Sequence, residues 1–224
     1  MSAPGPLYII AAGTLAAAAY VWWSNDQSSV TYDASAAGDG GATDAGSGGG
    51  ILTDMVNNLN SSVQNAFTDP AGALTNTNVQ AFLKMVRVGE GTAGPNGYTT
   101  LFGGGQFSDM SRHPNIAVTR GGYTSTAAGA YQILYSTWLE AKAALGLPDF
   151  SPASQDRAAC WLIKRRGALA DVQNGAVATA IGKCNKEWAS LAGSPYGQPT
   201  LTLAQDETNF AAFGGVQTDA GTSA

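Results

Sequence analysis

The hydrophobic residues in the middle of the chain recur every three or four positions, a spacing typical of amphipathic helices. The clearest stripe predicts a helix from Asn78 to Glu90, with Thr77 or Asn78 as its N-cap. Similar patterns predict further helices over three stretches: 136–145, 152–166 and, in one or two pieces, 176–191. Ser151 followed by Pro152 marks the start of the second of these, and Gly167 marks its end.

The pattern changes over residues 97–122. This stretch is rich in Gly and Thr and contains only short apolar pieces, YTTLF and NIAVT. Short runs bounded by turn residues favour a small, irregular β-sheet. A helical body with one small sheet is an α+β arrangement.

An uncharged and mostly apolar segment, LYIIAAGTLAAAAYVWW, occupies residues 7–23. As a helix it would be about 25 Å long, slightly shorter than the ~30 Å hydrocarbon core of a bilayer. Aromatic residues near both of its ends favour the membrane interface. We predict a membrane anchor over residues 1–25. A cleavable signal peptide is the alternative, although its usual basic start is missing because no Lys or Arg precedes Lys84.

The segments on either side of the middle region differ from it in composition. Residues 26–75 are rich in Gly, Ala and Asp and predict a flexible linker. Within that linker, helical spacing over 51–67 predicts an amphipathic helix, whose partner is the main domain, a virion or membrane protein, or the membrane surface. Residues 201–224 read as an acidic, loosely ordered tail. This leaves 76–200 as the folded domain.

Charge is distributed unevenly along the chain. All eleven Lys and Arg residues lie between Lys84 and Lys186, and residues 76–200 carry seven acids, which gives that segment a net charge of +4. The flanking segments carry the other nine acids and no base. A cationic body suits a polyanionic target, but ordinary surface lysines would give the same value.

Cysteine usage restricts the kinds of site that we expect. Cys160 and Cys184 lie on neighbouring predicted helices and are either a disulfide or two buried free thiols. Because the sequence has no Cys-x-x-Cys motif and no His-Cys cluster, we predict neither a metal site nor a cofactor. We also predict no nucleic-acid partner.

Glu90 stands out on the first predicted helix because it continues the apolar stripe formed by Phe82, Leu83 and Val86. Its side chain should therefore point toward the core or toward a cleft in it. Burial and the negative end of the helix dipole both raise the pKa of such a carboxyl group. A carboxylic acid that keeps its proton near neutral pH can donate it to a leaving group. On geometry alone, a solvated helix-end residue is the alternative.

Six blocks around Glu90 occur in a fixed order: FLKMVRVGEGT (82–92), GYTTLFGGGQFSDMSRHP (97–114), STAAGAYQIL (125–134), LGLPDFSPASQD (145–156), IKRRGAL (163–169) and CNKEWASLAGSPYGQ (184–198). Through these blocks the chain from about Val79 to Gln198 resembles the lysozyme-like endolysins of lambdoid bacteriophages, which are peptidoglycan lytic transglycosylases. The resemblance implies a lysozyme-like fold, in which a helical lobe and a small β-lobe flank a saccharide groove.

The resemblance also implies roles for individual residues. Glu90 would be the catalytic acid. Six substrate-binding residues would lie beside the groove: Tyr98, Thr99, Tyr131, Gln132, Tyr196 and Gln198. The expected partner is therefore the glycan strand of peptidoglycan.

The chain departs from the family pattern at one position. Some relatives carry an aspartate directly after the Gly-Tyr of the β-lobe, where this chain has Thr99. Glycosidases that use water need two carboxylates, and the substitute Asp109 reads equally well as a turn residue. A transglycosylase needs only one acid–base residue, since the C6 hydroxyl of the sugar closes on C1 to give a 1,6-anhydro product.

Together these features predict a wall-degrading enzyme of phage origin, with a transmembrane helix and a flexible linker before the catalytic domain. We expect that domain in the periplasm, or the whole protein in the membrane of a phage virion. A hydrolytic muramidase is one alternative. A non-catalytic, membrane-anchored virion or wall-binding protein is another.

Overall fold

The computed structural model describes residues 70–197 and 200–219. Within these ranges, no helix combines the length and apolar character needed to cross a bilayer. The predicted anchor at 7–23 and the predicted helix at 51–67 lie outside the described residues.

The described residues form an α+β body. Its helices are α1 (Pro70–Ala73), α2 (Thr77–Gly89), α3 (Tyr135–Leu145), α4 (Pro152–Arg165), α5 (Leu169–Gln173), α6 (Val177–Cys184) and α7 (Leu203–Ala212). Strands β1 (Val118–Arg120) and β2 (Tyr123–Ser125) form an antiparallel hairpin in which Val118 pairs with Ser125. Two short 3-10 helices, Gly97–Thr99 and Phe102–Gly104, precede the hairpin.

Helix α2 is central to the core, as its apolar stripe predicted. Its stripe is buried, including Val79, Phe82 and Val86, and it packs against α4, α5 and α7. The helix begins one residue earlier than expected because Asn76 is the N-cap. The Asn76 side chain accepts hydrogen bonds from the backbone N–H groups of Asn78 and Val79 at 2.9 and 3.2 Å.

The β-lobe is smaller than the sheet predicted over 97–122. Only the hairpin at its end is regular, and the rest consists of 3-10 turns with isolated bridges such as Thr100 to Gln106. The reason is local, because Gly103 and Gly104 have φ values of 79° and 93°, which no extended strand contains.

The C-terminal segment is not the loosely ordered tail that its composition suggested. Residues 203–212 form helix α7, which opens with a capping box between Thr202 and Gln205 and buries Phe210 completely. Further on, Asp219 accepts hydrogen bonds from the backbone N–H groups of Ala178 and Thr179 at the start of α6. The expected boundary at residue 200 is therefore wrong, and the domain continues through 219.

One smaller expectation is corrected, and one open alternative is decided. Helix α1 lies in the predicted linker, yet Pro70 and Ala73 are buried and the helix packs against α4. Cys160 and Cys184 are both buried and form no disulfide, which matches the second of the two alternatives. Burial raises the pKa of the Cys184 thiol well above its usual range.

The burial of Phe210 makes α7 part of the hydrophobic core, so its loss should destabilise the whole domain. We expect Phe210→Ala to lower the free energy of unfolding by about 3–5 kcal/mol because it leaves a large cavity. Urea denaturation followed by circular dichroism measures the change. Val216→Ala is the control, since Val216 is 68% exposed and its truncation should change little. A Phe210→Ala protein as stable as the parent would contradict the assignment.

Candidate active site

Glu90 closes the C-terminal end of α2. Its backbone N–H still bonds to the carbonyl of Val86 at 2.9 Å, and Gly91 then turns the chain with a φ of 69°. The half-buried side chain faces an open cleft between the helical body and the residues that follow β2. The cleft is lined by Glu90, Ala127, Tyr131, Gln132, Ile133, Leu134, Thr137, Leu162, Lys186, Glu187, Trp188 and Ala189.

Within the part of the chain that the structure describes, one side-chain hydrogen bond orients the Glu90 carboxyl group. The buried hydroxyl of Ser190 donates to Glu90 Oε1 at 2.8 Å. Burial raises the pKa of Glu90 to about 7, and the Ser190 bond opposes that rise. The group can therefore lose and regain a proton near neutral pH, which is the property expected of an acid–base catalyst.

Gly89 explains how Ser190 comes so close to the end of α2. A Cβ atom built on Gly89 would lie 2.6 Å from Ser190 Oγ and 2.9 Å from Ser190 Cβ. Any side chain at this position would push Ser190 away, so glycine allows the close approach. The sequence gives no signal for this contact, because Ser190 lies 100 residues from Glu90 and on no periodic stripe.

Two of the predicted substrate residues, Tyr98 and Tyr131, support the cleft through their hydroxyl groups. Both hydroxyls donate to Asp156 Oδ1, at 2.9 and 2.6 Å respectively. The guanidinium of Arg87 lies 4.7 Å from the centre of the Tyr98 ring. Burial, aided by the negative Asp156, raises the pKa of Tyr98 to about 12. Only Tyr131 of this pair lines the cleft.

Gln132 lines the cleft beside Tyr131 and has an unusual backbone conformation, with a φ of 47°. Its side-chain amide N–H₂ donates to the carbonyls of Thr100 and Gly129 at 3.1 and 3.0 Å. These two bonds fix the side chain and the strained backbone together. Gln132 is therefore held rigidly at the cleft wall.

Two further predicted residues, Thr99 and Tyr196, lie outside the cleft lining. Thr99 is outside the cleft lining, and its hydroxyl donates to Gln106 Oε1 at 2.6 Å. The Tyr196 hydroxyl donates to the carbonyl of Lys186 at 2.8 Å, which joins it to a residue of the cleft wall. Gln198 lies outside the described residues.

The cleft contains a second carboxylate that sequence reasoning did not select, Glu187. Its side chain is only 7% exposed and accepts hydrogen bonds from Arg165 at 2.7 Å and from Arg166 at 2.8 Å. Two guanidinium groups therefore occupy the oxygens of this carboxylate through charge-assisted hydrogen bonds. Asp109, the other proposed partner, is exposed and accepts a bond from the Ser111 N–H at 2.9 Å, as a turn residue does.

Comparison with known proteins gives consistent results. A family model described as Endolysin matches residues 80–217. The endolysin of Escherichia phage P2 is 42% identical over 158 residues, which cover 63% of this chain and 96% of the relative. The endolysin of Escherichia phage lambda is 43% identical over 130 residues, which cover 55% of this chain and 82% of the relative.

Solved structures of one of these relatives have the same fold. Bacteriophage lambda lysozyme complexed with a chitohexasaccharide superposes with a TM-score of 0.61 at 39% identity, covering 64% of this chain and 97% of that one. A second structure of lysozyme from bacteriophage lambda gives a TM-score of 0.58 at 38% identity, with the same coverage. The lysozyme-like α+β fold is therefore confirmed.

The close approach of Gly89 and Ser190 can be tested by adding one methyl group. We expect Gly89→Ala to lower kcat/KM on cell-wall substrate about tenfold, because the new Cβ displaces Ser190 from Glu90. Gly182→Ala is the matched control, since Gly182 also lies in a helix and a Cβ there meets nothing within 4 Å. Turbidity assays measure both. Equal activity of the two variants would show that Ser190 can move without consequence.

The raised pKa of Glu90 should make the domain less stable at higher pH. Its folded pKa of about 7 lies above the ordinary 4.5, so the unfolded chain releases the proton first and stability falls between those two values. The amide introduced by Glu90→Gln cannot ionise. The free energy of unfolding of this variant, relative to that of the parent, should rise between pH 4.5 and pH 7. The difference should reach about 3 kcal/mol above pH 7. Below pH 4.5 this gain should be absent.

Urea denaturation at a series of pH values measures this difference. Asp206 is also buried with a raised pKa, but it is present in both proteins and cancels in the comparison. A pH-independent difference between parent and variant would mean that Glu90 titrates like a surface residue.

Proposed function

The chain belongs to the endolysin family, and we propose that it is a lytic transglycosylase that cleaves the β-1,4 bond between MurNAc and GlcNAc in peptidoglycan. Family and fold together support peptidoglycan degradation. The finer assignment depends on one observation: within the described cleft, Glu90 is the carboxyl group that lies outside any ion pair and has a pKa near neutrality.

The proposed reaction uses Glu90 twice. Protonated Glu90 donates its proton to the glycosidic oxygen, and the bond from that oxygen to C1 of MurNAc breaks. The resulting carboxylate then takes the proton of the MurNAc C6 hydroxyl, whose oxygen closes on C1. The product carries a 1,6-anhydro ring, and Glu90 regains its starting proton. A pKa of about 7 suits both steps, because neither the acid nor the base form is strongly disfavoured.

A hydrolytic muramidase is less well supported, because it needs a second carboxylate as nucleophile or as base for water. Glu187 is the other carboxylate that lines the cleft, and Arg165 and Arg166 occupy its oxygens. Asp109 is exposed in a turn, and position 99 carries a threonine. None of these three offers a free carboxylate that faces Glu90 across the cleft.

The glycan strand is proposed to bind along the same cleft. In support, the similar lambda lysozyme was solved with a chitohexasaccharide, which is itself an oligosaccharide. Tyr131 and Gln132 would form the wall beside Glu90, and Tyr196 would lie at its mouth. Tyr98 and Thr99 lie outside the cleft lining and would contact more distant sugars. Gln198, outside the described residues, is proposed as a further substrate-binding residue.

The site of action is also a proposal. We propose that residues 7–23 anchor the chain in a lipid bilayer. Either the catalytic domain lies in the periplasm, or the whole protein is held in the membrane of a phage virion. The apolar, uncharged character of that segment supports this. The segment at 51–67 would contact a virion or membrane protein.

The product distinguishes the two reactions. We expect purified sacculi digested by the full-length chain to release muropeptides with 1,6-anhydroMurNAc ends, which are lighter by one water than reducing ends in mass spectrometry. Glu90→Gln should lower the rate at least about 100-fold, because it removes the proton donor. Asp109→Asn is the comparison variant and should keep parental activity.

Other outcomes identify the alternatives. Reducing ends as the main product, together with loss of activity in Asp109→Asn, would identify a hydrolase that uses a second carboxylate. A parent protein as inert as Glu90→Gln, but still bound to sacculi, would identify a wall-binding protein.

A further inference from the structure

The turn that carries Ser190 is held in place by the C-terminal segment. Asp206, on α7, accepts a hydrogen bond from the backbone N–H of Ala192 at 2.9 Å, two residues beyond Ser190. The backbone N–H of Leu201 donates to the carbonyl of Ser190 itself at 3.0 Å. The hydroxyl that orients Glu90 is therefore fixed by residues that follow it in sequence.

Asp206 is an unusual residue for this position. It is 0% exposed, and its second oxygen, Oδ1, is buried with no hydrogen-bond partner within the described ranges 70–197 and 200–219. Burial raises the pKa of Asp206 to about 7, and the negative charge of the adjacent Glu207 adds to that rise. Such a carboxyl group destabilises the fold compared with an apolar side chain of similar size.

Packing alone does not require an acid at this position. Phe210 already anchors α7 in the core, and the capping box at Thr202 already begins the helix. What Asp206 supplies is an acceptor for the N–H of Ala192. Its contact therefore acts on the 190–192 turn rather than on the stability of α7.

We propose that Asp206 is a positioning residue for the catalytic acid, which fixes the 190–192 turn and thereby the hydrogen bond from Ser190 to Glu90. The inference rests on the proposed function, because it takes Glu90 as the acid. Helix α7 thereby has a role in catalysis, although it contributes no residue to the lining of the cleft.

Three fixed contacts act on the turn in this arrangement. Gly89 limits Ser190 on the side of α2, Leu201 holds its carbonyl, and Asp206 holds Ala192. The donor of a hydrogen bond to a catalytic group must be positioned within about 0.5 Å. A turn that is held at one end only does not guarantee this position. Loss of the Asp206 contact should therefore let the Ser190 hydroxyl move away from Glu90.

Two substitutions at Asp206 separate its acceptor from its charge. Asp206→Leu removes the acceptor and keeps a side chain of similar size, whereas Asp206→Asn removes the charge and keeps an oxygen that can accept from Ala192. If the leucine of Asp206→Leu does not fit at this buried position, Asp206→Ala provides the same test with a smaller side chain. Ser190→Ala shows the full effect of losing the bond to Glu90.

Asp219→Asn is the matched control. Asp219 is also a carboxylate of the C-terminal segment that accepts backbone N–H groups, but its partners are Ala178 and Thr179 on α6. It does not touch the 190–192 turn. Glu187 and Lys186, the charged groups that line the cleft with Glu90, are unchanged in every variant.

The direct readout is the titration of Glu90 by NMR of its carboxyl carbon in the full-length chain. Because the Ser190 bond lowers the pKa of Glu90, we expect that pKa to rise in Ser190→Ala and in Asp206→Leu. In the double variant Ser190→Ala/Asp206→Leu, the pKa of Glu90 should rise no further than in Ser190→Ala alone, since both changes remove the same hydrogen bond. Asp206→Asn and Asp219→Asn should titrate like the parent.

Activity on purified sacculi is the second readout. We expect kcat to fall about tenfold in Asp206→Leu and in Ser190→Ala with little change in KM, because the glycan contacts are untouched. Asp206→Asn should keep most of the parental kcat. Thermal unfolding of each variant verifies that it is folded.

The outcomes are distinguishable. A folded Asp206→Leu or Asp206→Ala in which Glu90 titrates at the parental pKa would overturn the positioning role and leave Asp206 as a structural residue. If the pKa pattern appears but Glu90→Gln keeps full activity, the link from Asp206 to Glu90 stands and the proposed catalytic role of Glu90 fails.

Discussion

The hydrogen bond from Ser190 to Glu90 is the interaction on which the candidate site depends. Burial raises the pKa of Glu90 and so favours the protonated form, which can donate a proton, over the carboxylate, which can take one back. The Ser190 hydroxyl stabilises the charged form and opposes that rise, and the result is a pKa of about 7. An acid that must also act as a base needs this balance, and it requires a donor placed accurately beside a half-buried carboxyl group.

Much of this arrangement follows from the sequence and some of it does not. Helix α2 and the position of Glu90 follow from one apolar stripe, because helical periodicity is a local property. Ser190 and Asp206 carry no such signal, since tertiary contacts bring Ser190 to Glu90 and Asp206 to Ala192. Helix α7 is not predicted for a related reason. The acidic composition suggests a loose tail, whereas the capping box at Thr202 and the buried Phe210 decide its structure.

The predicted substrate residues illustrate the same limit. Tyr131 and Gln132 line the cleft, but the sequence blocks do not reveal what their side chains bond to. The hydroxyls of Tyr98 and Tyr131 share one oxygen of Asp156, and the amide of Gln132 bonds to two backbone carbonyls. These bonds fix the shape of the cleft, so under the proposed function their effect on a glycan would come through rigidity as much as through direct contact.

The basic cluster at the end of α4 bears on the choice of chemistry. Seen in the sequence, Lys164, Arg165 and Arg166 need no role beyond a favourable interaction with the helix dipole. In the structure, the two arginines form ion pairs with Glu187 and occupy the oxygens of this second cleft carboxylate. A carboxylate held in this way is a poor nucleophile and a poor base for water. The ion pairs that stabilise the cleft wall thus also leave Glu90 to act alone, and a lone acid–base group suits an internal hydroxyl as nucleophile better than it suits water.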